Sequence, residues 1–415
     1  MLKLLINASQ IVTCNSYGKN YKRGSELADL EVLTEHFIVV ENGIIKDILP
    51  NSSLQKFQSA IKINLKDKII LPGLVECHTH TAFAGSRANE FRQKIAGIHY
   101  EEIAKNGGGI ISTVNAVRNS SLNDLVELMT PRVKEFISQG VTTLEIKSGY
   151  GLDFENEIKL LHAIKVINEI FPIDIVSTFL GAHTFPPEFK NNHSGYVDLI
   201  VDKIIPHIAK NKLSEFCDGF CEATAFTSKE IDKIFNAASN AALKLKLHTE
   251  QFNNVGGLDV ALKHNAISVD HLEVIKESDY SKFKNVETIC VLLPGVSFFL
   301  DYQFAPARKL IENNAIIALA TDYNPGSSHI INLHLIMSLA AIKMKMKIEE
   351  IINAVTINAA KALCRENSIG SIEIGKKADF AVFNTNEYSD IVYSVGRNLI
   401  SHTIKNGEII YQRPE

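Results

Sequence analysis

The sequence predicts a (β/α)8 TIM barrel with a small sheet domain assembled from the two chain ends. Residues 67–369 alternate short apolar strands with longer amphipathic stretches, as β/α units do. The flanking segments, 1–66 and 370–415, read instead as hairpins with turn dipeptides between apolar runs. Nearly every strand of the middle region also closes on a residue able to do chemistry. A barrel would bring these residues together, because active sites form where the C-terminal ends of its strands converge.

The N-terminal segment carries LLINASQIVTC and FIVVENGIIKDILP, with Glu41-Asn42-Gly43 as a hairpin turn. The C-terminal segment repeats that character in ADFAVFNT and LISHTIKNGEIIYQ, with Asn406-Gly407 as its turn. The expected barrel strands are Leu71–Val75, Thr142–Ile146, Ile173–Phe179, Phe216–Glu222, Leu243–Leu247, Ile267–Val269, Thr288–Leu293 and Ile316–Ala320. Helical patterns such as FENEIKLLHAIKVINEI and SKEIDKIFNAASNAALKL lie between them. A doubly wound open sheet is the rival, but no glycine-rich phosphate signature follows any strand.

At 415 residues the chain is long enough for a barrel and an appendage. Its 43 basic and 47 acidic residues leave a net charge of −4, which gives no footprint for nucleic acid or an anionic membrane. Six scattered cysteines read as reduced thiols, since Cys217 and Cys221 have the wrong spacing for a zinc ribbon or a thioredoxin motif. No apolar run reaches membrane-span length, and the apolar start is too short for a signal peptide. A cytoplasmic protein is expected.

The 14 histidines carry the functional reading. The first strand ends in His78 and His80, the second in Glu145 and Lys147, the third in His183. The fifth ends in His248, the sixth in His271 and the eighth in Asp322. His36, His162, His193, His207, His264 and His402 fall on helices and loops and receive no role, and His329 stays unassigned. Strand alternation points His78 and His80 the same way. His248 adds a third nitrogen and Asp322 a carboxylate. Three nitrogens and one oxygen with room for water form an open catalytic metal geometry.

These residues together resemble the amidohydrolase superfamily. The segments that carry the resemblance are LPGLVECHTH, HTHTAFAGSRANEF, AGIHYEEIAKNGGGIISTV, TTLEIKSGYGL, TFLGAH, HTEQFNNVGG, DHLE, APAR, TDYNPGSS and GSIEIGKKADFAVF. They are most similar to the branch of the superfamily that opens a cyclic amide. The resemblance implies a β-sandwich for the composite end domain and one divalent metal, zinc or iron, on His78, His80, His248 and Asp322. Ligand type does not choose between those metals. Two-metal relatives place a modified lysine at the fourth strand. GFCEA has none there, so one metal is expected, with Glu222 the doubtful residue.

The resemblance further implies catalytic roles for Asp322 as proton carrier, His271 as carbonyl polariser, and His183. The substrate contacts it implies are Arg87, Tyr150, His183, Gln251, Asn324, Gly326 and Ser327. The substrate expected is a small molecule with a carboxylate tail, for which Arg87 is the natural fork-shaped partner. Gln251 stands where related deaminases carry a glutamate proton shuttle, and an amide cannot shuttle protons. Glu250 reads as structural. Gly107-Gly108-Gly109 reads equally as a flap or a plain turn. A homodimer is implied by the resemblance alone. Another cyclic-amide hydrolase or an aminohydrolase of the superfamily is the alternative, and a non-catalytic relative should have lost ligands. Two segments are unusual for the superfamily branch: Thr184-Phe185 after the third strand, and CEATAFTSKE after the fourth.

Overall fold

The computed structural model describes residues 2–97 and 108–414. Eight parallel strands follow one another in chain order. They are β1 (Leu74–Glu76), β2 (Val141–Lys147), β3 (Asp174–Ala182), β4 (Phe216–Cys221), β5 (Lys244–Thr249), β6 (Ser268–His271), β7 (Ile289–Leu292) and β8 (Ile316–Leu319). The sheet closes into a barrel where the segment after β1 meets the segment after β8. Thr79 bridges Tyr323, the His80 amide donates to the Tyr323 carbonyl at 2.9 Å, and the Asp322 amide donates to the His78 carbonyl at 3.1 Å. The seam of the barrel therefore holds His78, His80 and Asp322 side by side.

The expected first strand, Leu71–Val75, is divided between two sheets. Ile69–Pro72 pairs with Phe380–Phe383 and Gln10–Val12 in an outer sheet, and β1 begins only at Leu74. Gly73 is the junction. A Cβ there would lie 2.2 Å from Thr142 Oγ1, so only glycine lets the chain pass this close to β2. The outer sheet thus runs to Pro72, past the boundary at residue 66 expected from hydrophobic pattern.

That outer sheet has six strands drawn from both chain ends, and a second, four-stranded sheet lies within residues 2–64. Leu5, Ile38 and Val40 of the smaller sheet share one buried cluster with Ile70, Phe380 and Ile404 of the larger. Both predicted turns have two consecutive positive φ angles, 53° and 80° at Asn42-Gly43 and 49° and 75° at Asn406-Gly407. This is the type I′ geometry that matches strand twist, and asparagine followed by glycine adopts it at least cost.

The helices obey local rules. Ser228–Asn240 starts from a Thr227–Glu230 capping box and buries Ile231, Ile234, Phe235 and Ala238, spaced for one face. Burying each large side chain of that set stabilises by roughly 1.5–3 kcal/mol. Phe154–Ile170 is capped by Asp153. Gly109 caps the helix Ile110–Asn119 with φ 79°, and Gly107 of the expected flap lies outside the described residues. No helix among the described residues is long and apolar enough to cross a membrane.

The barrel interior departs from the usual filling of branched apolar residues. Val75, Val176, Phe216, Val291, Ile316 and Ala318 share one buried apolar cluster. The interior also holds fully buried charges: Glu145 and Lys147 from β2, Asp218 from β4, Lys246 from β5 and Asp270 from β6.

Candidate active site

His78 and His80 leave β1 in extended conformation between β2 and the segment after β8, so both rings enter the cup. Their Nε2 atoms lie 3.3 and 3.2 Å from Asp322 Oδ1. His248, near the end of β5, brings its own Nε2 to 3.3 Å from His80 Nε2. The ligand atoms of the three histidines all lie within 4.8 Å of one another. His78 Nε2 and Asp322 Oδ1 are buried and make no hydrogen bond. Buried polar atoms seldom stay unpartnered, and these converge on a single point.

Charge agrees with geometry. Burial and Lys147 push the His78 imidazole down, but Asp270 and Asp322 overcome both and raise it to about 9. The pocket draws positive charge to this point. Burial holds His248 down at about 3, so its ring is neutral and has a lone pair to offer. The donor set, three imidazole nitrogens and a carboxylate, fits a divalent metal.

A second set of carboxylates aims the histidines. His78 Nδ1 lies 2.6 Å from Asp270 Oδ2, and His248 Nδ1 lies 3.1 Å from Asp218 Oδ1. A carboxylate accepting from Nδ1–H fixes the tautomer that leaves Nε2 free for a cation. The sequence reading overlooked Asp218 and Asp270. Asp218 shares the inward face of β4 within FCDGFC, and Asp270 immediately precedes His271.

Alternation allows only one of Asp270 and His271 to face inward. The structure brings both in, because His271 has φ 86° and its backbone turns the ring back into the cup. The His271 ring centre lies 5.5 Å from that of His248, and its Nδ1 lies 3.5 Å from Glu273 Oε1.

His80, His248, His271 and Asp322 open on a cavity of about 700 Å³. Arg87, Tyr150, His183, Gln251, Asn324, Gly326 and Ser327 all line it. His183 is stacked on His80 with ring centres 5.1 Å apart, and its Nδ1 lies 2.9 Å from the Gly149 carbonyl. A carbonyl only accepts, so Nδ1 carries the proton and Nε2 is an acceptor. Burial, with His80 and His248 beside it, holds the His183 ring neutral, well below the usual histidine range. The Tyr150 ring centre lies 5.3 Å from that of His183.

Asn324, besides lining the cavity, also holds its own loop together. Its Oδ1 accepts from the Gly326 and Ser327 amides at 2.8 and 2.7 Å, and its Nδ2 donates to the Asp322 carbonyl at 2.7 Å. It shapes the loop that carries Asp322. Glu222 likewise accepts from the Phe252 and Asn253 amides and pins the loop after Gln251. Glu250 faces away from the cavity, and burial raises its carboxyl to about 7.

Arg87 donates from Nε to Glu90 Oε2 at 2.9 Å, and a Cβ built on Gly326 would lie 2.0 Å from its Nη1. The flexible arginine would yield to such a methyl before the loop did. Gly326→Ala is therefore expected to displace the guanidinium and raise KM about tenfold, the ~1.4 kcal/mol equivalent of one weakened charge-assisted hydrogen bond. Metal content should not change. Steady-state kinetics beside metal analysis check this, and an unchanged KM would remove Arg87 from substrate binding.

The two unusual segments meet each other. Phe185 stacks on Phe226 with ring centres 4.2 Å apart, and on His193 at 3.6 Å. The departures form one packed unit beside the cavity, where Thr184, Thr224 and Ala225 line the wall.

The amidohydrolase family model matches residues 69–410. The imidazolonepropionase of Thermoanaerobacter pseudethanolicus is 44% identical over 97% of this chain and 96% of its own length. That of Flavobacterium johnsoniae is 40% identical over 99% of this chain and 100% of its own. The chain belongs to the imidazolonepropionase family of amidohydrolases. The fold of this family member is shared more widely. An adenosine deaminase from Xanthomonas campestris with bound zinc superposes with TM-score 0.72 at 18% identity, covering 98% of this chain and 92% of that one. Escherichia coli guanine deaminase gives 0.72 at 13% identity, with 100% of both chains covered.

Proposed function

We propose that this chain hydrolyses the ring amide C–N bond of 4-imidazolone-5-propanoate to N-formimidoyl-L-glutamate, a step of histidine degradation. The observation that supports this most is one cavity lined both by His80, His248 and Asp322, on which the buried His78 Nε2 converges, and by the Arg87 guanidinium. The first set suits hydrolysis and the second suits the substrate's only full charge. His78, His80, His248 and Asp322 would hold a divalent metal, zinc or iron, which when bound would supply acidification of water and polarisation of a carbonyl.

The chain's own groups do the rest. Asp322 takes the proton of the attacking water on a carboxylate oxygen and passes it to the ring nitrogen as the C–N bond breaks. His271 donates to the carbonyl oxygen as negative charge develops there, with Glu273 as counter-charge behind its ring. One well-aimed donor of this kind is worth about 3 kcal/mol. Tyr150 and His183 hold the ring, and Arg87 clamps the propanoate. Deamination is disfavoured, because Gln251 on the cavity wall can hydrogen-bond but cannot carry a proton.

The test is direct. Purified protein of measured metal content is mixed with fresh imidazolone propanoate, and loss of ring absorbance is followed. No turnover with metal present would overturn the reading. Arg87→Ala is expected to keep metal and raise KM roughly 100-fold, for the loss of a bidentate charged pair worth ~3 kcal/mol. Wild-type kinetics in that variant would remove the clamp. The resemblance also implies a cytoplasmic homodimer, and light scattering of the purified protein tests the dimer.

A further inference from the structure

Beneath the candidate ligands lies a closed set of buried charges that the proposed chemistry does not use. Lys147 Nζ sits 2.8 Å from Asp218 Oδ2, 2.9 Å from Glu145 Oε2 and 4.0 Å from Asp270 Oδ2. Lys246 Nζ sits 2.8 Å from Glu145 Oε1 and donates to the Cys77 carbonyl at 3.0 Å. All five side chains have no exposed surface. Lys147, Asp218 and Asp270 come from β2, β4 and β6, the alternate strands that supply one layer of a barrel interior.

Five buried charges are costly, and an apolar layer would fill the same space without that cost. Their placement gives the reason for them. Asp218 and Asp270 are the two carboxylates that hold Nδ1 of His248 and His78. One ammonium lies between both. We propose that Lys147 is a positioning residue that sets the two histidine ligands jointly, by fixing Asp218 and Asp270 from a single point. Its flexible stem is locked by full burial, and its ammonium stands within ion-pair distance of both aspartates, 2.8 Å from Asp218 and 4.0 Å from Asp270. Glu145 anchors Lys147 from below and is itself fixed by Lys246 and by Thr178 Oγ1, which donates at 2.5 Å. A shift of the ammonium toward either aspartate would loosen the other, so the two ligands are coupled. The inference concerns metal binding and stands apart from the choice of substrate.

Lys147→Met alone would leave three buried carboxylates against one lysine. The better variant is Glu145→Gln/Lys147→Met, which removes one charge of each sign, with Glu145→Gln as control. Zinc affinity is measured by competition with a chromophoric chelator, and the Co²⁺-loaded proteins are compared by visible absorption. The control, whose amide oxygen can still accept from the Lys147 ammonium, should bind zinc within about threefold of the wild type. The pair should lose roughly 10–100-fold, the usual effect of removing partners behind a histidine ligand, and its cobalt bands should shift. A folded pair that binds zinc like the control overturns the proposal. If circular dichroism shows the pair unfolded, the cycle of Asp218→Asn, Asp270→Asn and their double variant decides. Coupling through Lys147 requires the double variant to lose less zinc affinity than the product of the single losses. A simple product overturns the proposal.

Discussion

His248→Ala is expected to lose metal and activity together, each to below about 1% of the wild type at stoichiometric metal. The imidazole is one of three whose ligand atoms converge within 4.8 Å, and its Nε2 lies 3.3 Å from that of His80. Losing a partner behind a ligand already costs ~10–100-fold in affinity, and losing the ligand itself should cost more. The fold should survive. Asp218, which loses its histidine partner, keeps Lys147 at 2.8 Å and the Gly219 amide at 2.7 Å, so no uncompensated charge is left buried. Metal analysis and turnover on one preparation, with thermal unfolding of the metal-free protein as control, check this. A variant that keeps full metal but no activity would make His248 a catalytic group and leave the metal on other residues.

Why some of the site is legible in the sequence and some is not follows from the barrel. His78, His80, His248 and Asp322 end apolar strands, and strand ends converge, so residues far apart in sequence can be assigned to one cup from their positions alone. The eight-strand alternation marks the fold for the same reason. Asp218 and Asp270 lie one step deeper, where a carboxylate in an apolar run gives no sign of its partner. Only the closed barrel brings Asp270 on β6 to His78 after β1. His271 is found at its strand end by position, yet its entry to the cup depends on a positive φ that composition does not announce.

The loop-closing role of Asn324 is hidden for a related reason. Its place in the loop is evident, but that its amide closes the loop on itself depends on backbone atoms alone. The division of the first strand at Gly73 is likewise invisible in hydropathy, since IILPGLV is apolar on both sides of the glycine. The steric need for glycine appears only once Thr142 is beside it.

Asp322→Asn is the sharper test of chemistry, because it keeps the shape of the site and removes only a charge and a proton acceptor. Asp322 Oδ1 lies 3.2–3.3 Å from the Nε2 atoms of both His78 and His80, and the carboxylate is almost fully buried. Burial raises its pKa, but both histidines more than offset this, so the carboxyl stays well below the usual range and ionised. An ionised carboxylate can accept the water proton, whereas an amide cannot. The Asn324 lock on the Asp322 carbonyl should hold the new amide in the same place. With metal supplied at saturation to separate occupancy from chemistry, kcat is expected to fall by roughly 10²–10⁴, the usual contribution of a positioned acid–base group. KM should stay within a few fold, because Arg87 and the ring contacts are untouched. A kcat within tenfold of the wild type at full metal occupancy would show that another group carries the proton. Glu273, whose Oε1 lies 3.5 Å from His271 Nδ1, would then be the next residue to replace.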